Sequence, residues 1–161
     1  MKIYHLNVIG ISHFQSCTGS VFIHSLLDGH PQLCSIPGVC NLLPILSGSF
    51  ASANQALTCF ENANPKFYDT STMSTLDDNN AGLFNLGDYG DEGIQTSKFL
   101  FTKYFNYHIK NVDLTPKNII YSIYFAYSMA NKIDVAKHRY LLMHPHSKDM
   151  AFKLNAIFTE M

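Results

Sequence analysis

The chain begins with an apolar run, continues through a polar stretch, and then shows helical periodicity. Ile3–Ile11 reads IYHLNVIGI and is apolar apart from a histidine, an asparagine and a glycine. So short a β-branched run is typical of a strand buried on both faces, and we expect it at the centre of a parallel sheet. Over Val21–Leu27 apolar side chains recur at helical spacing, with Phe22 and Leu26 on the stripe expected to face the core. Gly29 can end this helix as a left-handed cap.

Strands and helices alternate along the rest of the chain. Strands are predicted at Gln32–Ile36 and Arg139–Met143, and helices at Gly38–Phe50 with a break at Pro44, Ala51–Glu61, Thr96–Lys110, Asp113–Lys132 and from a Ser147 cap to Met161. Such alternation predicts an α/β domain with a parallel sheet. Residues 62–93 are rich in Asn, Asp, Gly, Ser and Thr, which indicates a long loop or lid within the domain or, equally, a surface insertion.

Composition supports one globular domain over residues 1–161. Hydrophobic residues make up 47% of the chain and charged residues 14%, with a formal net charge of -1. No basic run suggests nucleic-acid binding, and no apolar stretch approaches the roughly 20 residues of a membrane span. The N-terminus lacks the pattern of a signal peptide, so a cytoplasmic location and free thiols at the four cysteines are expected.

The polar stretch Ser12–Thr18 leads into a helix that opens near Gly19. A strand, a loop and a helix start in this order form an arrangement that binds phosphate, because the first backbone N–H groups of a helix point at the ligand and the dipole favours negative charge. The nucleotide-hydrolysing motif GxxxxGK[ST], the dinucleotide motif GxGxxG and the nucleophile elbow GxSxG are all absent from the sequence.

The segment HSLLDGHPQL, His24–Leu33, followed by IPGV, Ile36–Val39, resembles the 5′-phosphosulfate-binding segment of sulfotransferases that use 3′-phosphoadenylyl sulfate (PAPS). The stretch NKIDVAKHRYLLMHPHS, Asn131–Ser147, is similar to the family's segment leading to its next core strand. The resemblance implies a three-layer P-loop-type α/β fold with a parallel sheet. It also implies PAPS as donor and sulfuryl transfer to a hydroxyl or amine of a small-molecule or glycan acceptor. The donor-binding positions that it implies are Ser16, Cys17, Thr18, Gly19, Ser20 and Val21.

The loop departs from the family pattern in its charge. Cys17 stands where the family has Arg or Lys, and Ser16 stands where it has Pro. The family's segment for the 3′-phosphate follows the next strand, which would come after Met161. We therefore expect an N-terminal sulfotransferase portion whose C-terminal side is completed by a missing segment or a partner. The alternatives are a degenerate relative that binds an anion or a partner without catalysis and, with less support because the P-loop Lys is absent, a kinase-like phosphotransferase.

Two histidines in HPHS are the candidates for the general base of sulfuryl transfer. His144 and His146 follow a predicted strand, at the edge where α/β folds place their sites. Asp88, Asp91 and Glu92 are further carboxylate candidates in the long loop. No sequence context singles out one of these five residues, and a plain surface histidine is the simplest interpretation of each His. No metal is assigned, because no cluster of three or four ligands stands nearby.

Overall fold

The computed structural model describes residues 6–11, 19–27, 30–36, 40–69, 95–145 and 147–159. These residues form three strands and six helices. In chain order they are β1 (Asn7–Gly10), α1 (Ser20–Leu27), β2 (Leu33–Ser35), α2 (Leu43–Ser47), α3 (Ala53–Ala63), α4 (Lys98–Ile109), α5 (Pro116–Ala130), β3 (Tyr140–Met143) and α6 (Lys148–Thr159). Within these ranges, no helix combines the length and apolar character needed to cross a membrane.

The described strands form one parallel sheet in the order β1-β3-β2. This confirms the predicted mixture of helices and strands with a small parallel sheet. The prediction that Ile3–Ile11 is central is wrong for this sheet, because β3 holds the centre and β1 lies at an edge. The physical reason is burial: Leu141, Leu142 and Met143 are almost fully buried, whereas Ile9 remains 36% exposed.

Neighbouring residues of β2 show that helices lie on both faces of the sheet. Cys34 contacts α5, since its sulfur lies 3.3 Å from the Ser128 hydroxyl. Ser35 bonds instead to His24 of α1. Successive side chains of a strand point to opposite faces, so α5 and α1 cover opposite sides of the sheet.

α4 packs extensively against α5, and α5 also contacts β2 of the sheet. Ser97 and Thr115 cap these two helices by accepting hydrogen bonds from Leu100 N and Asn118 N. Almost every side chain of α5 is buried. A helix that is apolar nearly all round suits a position enclosed by other elements.

Two of these helix predictions need adjustment at their ends, and a third has the predicted start. The segment Gly38–Phe50 contains only the short α2, and Pro44 lies in its first turn instead of breaking a longer helix. Helix α3 begins after Ser52, whose hydroxyl accepts from Gln55 N, and it continues to Ala63. Helix α6 has the expected cap, because the Ser147 hydroxyl accepts a 3.1 Å bond from Met150 N.

The predicted loop or lid over residues 62–93 is described only in its first part. After α3 ends, a turn packs Phe67 and Tyr68 against Phe101 of α4. Asp69 then forms an antiparallel bridge with Gln95, where the description resumes. Residues 62–69 therefore belong to the packed body of the domain, and the remainder of the predicted loop, with Asp88, Asp91 and Glu92, lies outside the described residues.

Candidate functional site

The candidate site lies at the carboxyl-terminal edge of the parallel sheet. β1 and β3 end side by side there, with Gly10 opposite Met143 and a 2.9 Å bond from Ile11 N to the Met143 carbonyl. α1, the next described element after β1, begins at Ser20. Parallel α/β sheets bind ligands outside the carboxyl ends of their strands, so this edge is where a ligand is expected.

Gly19 lies immediately before α1 in a backbone conformation that favours glycine. Its φ of +73° lies in the left-handed region that L-residues rarely adopt, and its carbonyl accepts the helical bond from Ile23 N at 3.0 Å. A Cβ built on Gly19 would meet nothing within 4 Å. The backbone conformation, not a lack of space, therefore requires glycine at this position.

Of the six predicted donor-binding residues, the structure describes the last three. Gly19 precedes the helix, while Ser20 and Val21 form its first turn, as predicted. Ser16, Cys17 and Thr18 lie outside the described residues.

Among the described side chains of α1, the two buried ones are polar, contrary to the predicted apolar stripe. Phe22, Ile23 and Leu26 are 65%, 47% and 67% exposed, whereas Ser20 and His24 are buried. Ser20 and His24 are four residues apart and therefore share one face of the helix. Helical spacing identified the helix, but it did not identify which face turns inward.

His24 joins α1 to the ends of two strands. Its Nδ1 lies 3.2 Å from Nδ1 of His144, the residue after β3, and its Nε2 lies 3.0 Å from the Ser35 hydroxyl at the end of β2. The two imidazoles meet edge to face, with their centroids 5.3 Å apart. A hydrogen-bonded chain of three polar side chains thus runs across the carboxyl-terminal edge of the sheet.

Both histidines of this chain are buried, at 1% exposure for His24 and 6% for His144. Burial lowers the pKa of His24, because an imidazolium loses its hydration there. The interpretation of His144 as a surface histidine is therefore wrong. His146, the other candidate base, lies outside the described residues.

The space beside His144 contains neutral groups. It is lined by Ile36, Cys40, Leu42, Tyr124, Met143, Pro145, Met150 and Leu154. Burial raises the pKa of Cys40 to about 12 and also raises that of Tyr124, whose hydroxyl donates to the Leu142 carbonyl at 3.0 Å. Neither of these two groups carries charge at neutral pH.

The sequence interpretation missed His24 and Ser35. One signal was available for His24, because a serine and a histidine four residues apart on a predicted helix mark one shared face. Nothing comparable singled out Ser35, whose role depends on a partner from a different element. His24 and His144 are 120 positions apart in the sequence, so no local pattern could predict their contact.

A resident metal ion finds no complete ligand set in the described ranges. No group of three or more His, Cys, Asp or Glu side chains is arranged there to hold one. The two Nδ1 atoms of His24 and His144 converge, but structural and catalytic zinc sites use at least three protein ligands. A shared proton explains the 3.2 Å separation with the groups that are present.

Comparison with family models, curated proteins and solved structures finds no match for this chain. The resemblance to sulfotransferases therefore remains a prediction, and the function has to be inferred from the residues at the carboxyl-terminal edge of the sheet.

Proposed function

We propose that this chain is a sulfotransferase-like α/β domain that holds the 5′-phosphosulfate of PAPS where α1 begins. The reaction is in-line transfer of the sulfuryl group to an acceptor hydroxyl or amine. The observation that carries the proposal is that β1 ends and α1 begins at the carboxyl-terminal edge of a parallel sheet, with a left-handed Gly19 immediately before the helix. Ligands bind at this edge in α/β folds, and phosphate groups bind at helix starts.

The sheet supports the finer prediction of a three-layer P-loop-type fold. Its parallel order β1-β3-β2 places the strand before the loop next to β3. His24 of α1 bonds to Ser35 on one face, while Cys34 contacts α5 on the other. A sheet covered by helices on both faces is what a doubly wound parallel fold requires.

Binding at this edge depends on backbone N–H groups and hydroxyls more than on fixed charge. In the proposal, the N–H groups of Thr18, Gly19, Ser20 and Val21 stabilise the charge that develops on the leaving-group oxygen. The hydroxyl groups of the loop, including that of Ser16, add donors. Among the described residues between the end of each strand and the next helix there is no Lys or Arg. After β3, the first Lys or Arg is Lys148, at the start of α6.

A second candidate is a non-catalytic relative that binds an anion or a partner. The observation that favours it is the burial of His144, which is bonded to His24 instead of being presented to an acceptor. Cys17 in place of the family's basic residue agrees with this alternative. The two candidates share the anion site and differ in whether a base reaches the acceptor.

Calorimetric titration with adenosine 3′,5′-bisphosphate tests the anion site. We expect weak binding or none to the unmodified chain, because the loop lacks its basic residue. Cys17→Arg should tighten binding by about 10-fold or more, since a charge-assisted hydrogen bond contributes roughly 1.5–3 kcal/mol. Thr58→Arg adds the same charge at an exposed position of α3 and serves as the matched control.

Melting temperatures measured on the same variants separate the outcomes. Tighter binding by Cys17→Arg alone, at an unchanged melting temperature, supports a donor site that has lost its cation. Unchanged binding in a folded Cys17→Arg variant contradicts an anion site at this loop and favours the partner-binding relative. Micromolar binding by the unmodified chain would show that other residues replace the missing cation.

A further inference from the structure

The strand β1 forms one edge of the sheet, and part of its main chain points away from β3. Ile11 N, just after the strand, donates to the Met143 carbonyl at 2.9 Å. Main-chain groups of successive residues in a strand point to alternate sides, so those of Ile9 also point towards β3, whereas the N–H and C=O groups of Val8 and Gly10 point outward. An edge of this kind is a template for pairing with another strand.

The outward edge of β1 is accessible in the folded chain. Gly10 is exposed, and because it has no side chain, this exposure belongs to its main chain. A Cβ built on Gly10 would meet nothing within 4 Å. Asn7 and Ile9 are exposed as well. These exposures leave room for another main chain at the spacing of neighbouring strands, about 4.8 Å.

The sequence of β1 gives this edge none of the usual protection against pairing. Natural edge strands carry charged side chains, proline or a bulge. β1 reads NVIG, without a charged residue or a proline, and its pairing with β3 is continuous over all four residues. In β2, at the opposite edge, every residue is buried or half-buried. The two edges therefore differ, and β1 is the one open to pairing.

We propose that a second copy of this chain pairs with this edge, antiparallel to β1 about a two-fold axis at Ile9. This register places Val8 of each copy opposite Gly10 of the other, and each of these pairs exchanges both of its N–H···O bonds. The edge is thus complementary to itself, as a two-fold dimer requires. The formal net charge of -1 opposes association of two copies only weakly.

The same register covers the exposed side chain of Ile9. On the two-fold axis, Ile9 faces its own copy as a non-hydrogen-bonded pair, in which the Cα atoms are about 4.5 Å apart. Ile9, Leu142 and Ser35 are in register across the sheet, so Ile9 points to the face on which α1 lies. In the single chain this apolar side chain is 36% exposed, and the pair removes it from water.

Helix α6 extends the interface on the other face of the sheet. Val8 is in register with Leu141 and Cys34, on the side of α5, and α6 packs against both β1 and α5. A groove of about 420 Å³ lies between β1 and α6. A two-fold axis perpendicular to the sheet keeps the two copies of α6 on this side, and each exposes Phe152 at 73%.

The size of the interface predicts a weak dimer. Stable interfaces bury about 1,200–2,000 Å², and two four-residue strands supply only the centre of such an area. Exposed parts of α6 have to supply the rest, so we expect association that depends on concentration. The carboxyl-terminal edges of the two copies lie at opposite ends of the joint sheet, and each copy keeps its own candidate site. The dimer uses no residue of the loop or of α1 and does not rest on the proposed function.

Sedimentation velocity of the full chain, over rising micromolar concentrations, tests for the dimer. Ile9→Lys places two like charges opposite each other and should raise the dissociation constant by about tenfold or more. Tyr140→Lys is the matched control, because Tyr140 lies on the same face of the central strand and is 37% exposed, and it should leave the dissociation constant unchanged. A chain that stays monomeric, or equal effects of the two folded variants, would overturn the proposal.

Disulfide cross-linking tests the register in a background with Cys17 and Cys59 replaced by Ser. Ile9→Cys should give a covalent dimer under mild oxidation, because facing residues of a non-hydrogen-bonded pair bring their Cβ atoms close together. Asn7→Cys is exposed on the same face of β1 but does not face its own copy, so it should link far less. The background without a new cysteine is the blank. A dimer in which Ile9→Cys links no better than Asn7→Cys would contradict an axis at Ile9 and overturn the proposal.

Discussion

Acidification should destabilise the domain through His108, which is buried between α4 and α5. Its Nδ1 lies 2.8 Å from the Ser122 hydroxyl, and that hydroxyl donates to the Asn118 carbonyl at 2.7 Å. Ser122 therefore accepts from His108, which places a proton on Nδ1 of the neutral ring. The ring also stacks on Phe125 at 4.6 Å. Burial of the ring lowers the pKa of His108 from 6.5 to about 4.

The sign and size of the effect follow from that pKa. Between pH 6.5 and about 4 the unfolded chain binds a proton at His108 that the folded chain does not. Its share of the stability is therefore complete above pH 6.5 and is lost as the pH falls towards 4. The whole difference corresponds to about 3 kcal/mol, of which about 2 kcal/mol is lost between pH 8 and pH 5.

Urea unfolding of the unmodified chain and of His108→Gln, each at pH 8 and pH 5, isolates this contribution. The glutamine amide can donate to Ser122 and does not titrate, so the variant should lose about 2 kcal/mol less than the unmodified chain on acidification. The comparison cancels the other histidines, and His30→Gln, at an exposed position, should behave like the unmodified chain. Equal losses in His108→Gln and the unmodified chain would refute the reasoning.

Two further substitutions test the packing and the backbone. Phe101→Ala should lower the free energy of unfolding in urea by about 3–5 kcal/mol, because Phe101 is fully buried against Phe60 and Phe67. Phe99→Ala on the same helix is the control, since it removes a side chain that is 77% exposed and should change the free energy of unfolding little. Similar losses in the two variants would contradict the core assignment. Gly19→Ala forces an L-residue into left-handed backbone and should raise the opening constant of α1 in hydrogen exchange by about 5- to 30-fold, at a cost of about 1–2 kcal/mol. Gly10→Ala, also in open space but without the positive φ, is the control, and an equal effect there would rule out backbone strain as the cause.

Elements with local signals were predictable from the sequence. Thr115 and Pro116 mark the start of α5, and the structure shows the Thr115 hydroxyl accepting from Asn118 N with the proline in the first turn. Ser147 likewise marks the start of α6. The parallel sheet was predictable too, because parallel strands need a crossover connection and alternating strands and helices supply one.

The positions of elements relative to one another were not predictable in the same way. β1 and β3 are both short apolar runs, and which of them is central depends on the pairing of β3 with β2 across more than 100 positions. The chain of Ser35, His24 and His144 depends on that same pairing, because it brings the ends of β2 and β3 under one helix. The sequence around a histidine does not indicate which residue of another element will contact it in the fold.

The contrast between α5 and α1 connects the fold to the proposed site. α5 is enclosed by apolar contacts, which gain free energy from burial without regard to direction. α1 instead exposes Phe22 and Leu26, and among its described contacts are the hydrogen bonds of His24 to His144 and Ser35, which depend on direction. Elements with few buried apolar contacts are the first to open, and ligand-binding segments are drawn from them. A ligand at the start of α1 would therefore act on an element whose described side chains are largely exposed, so binding at the loop should lower the opening constant of α1 in hydrogen exchange.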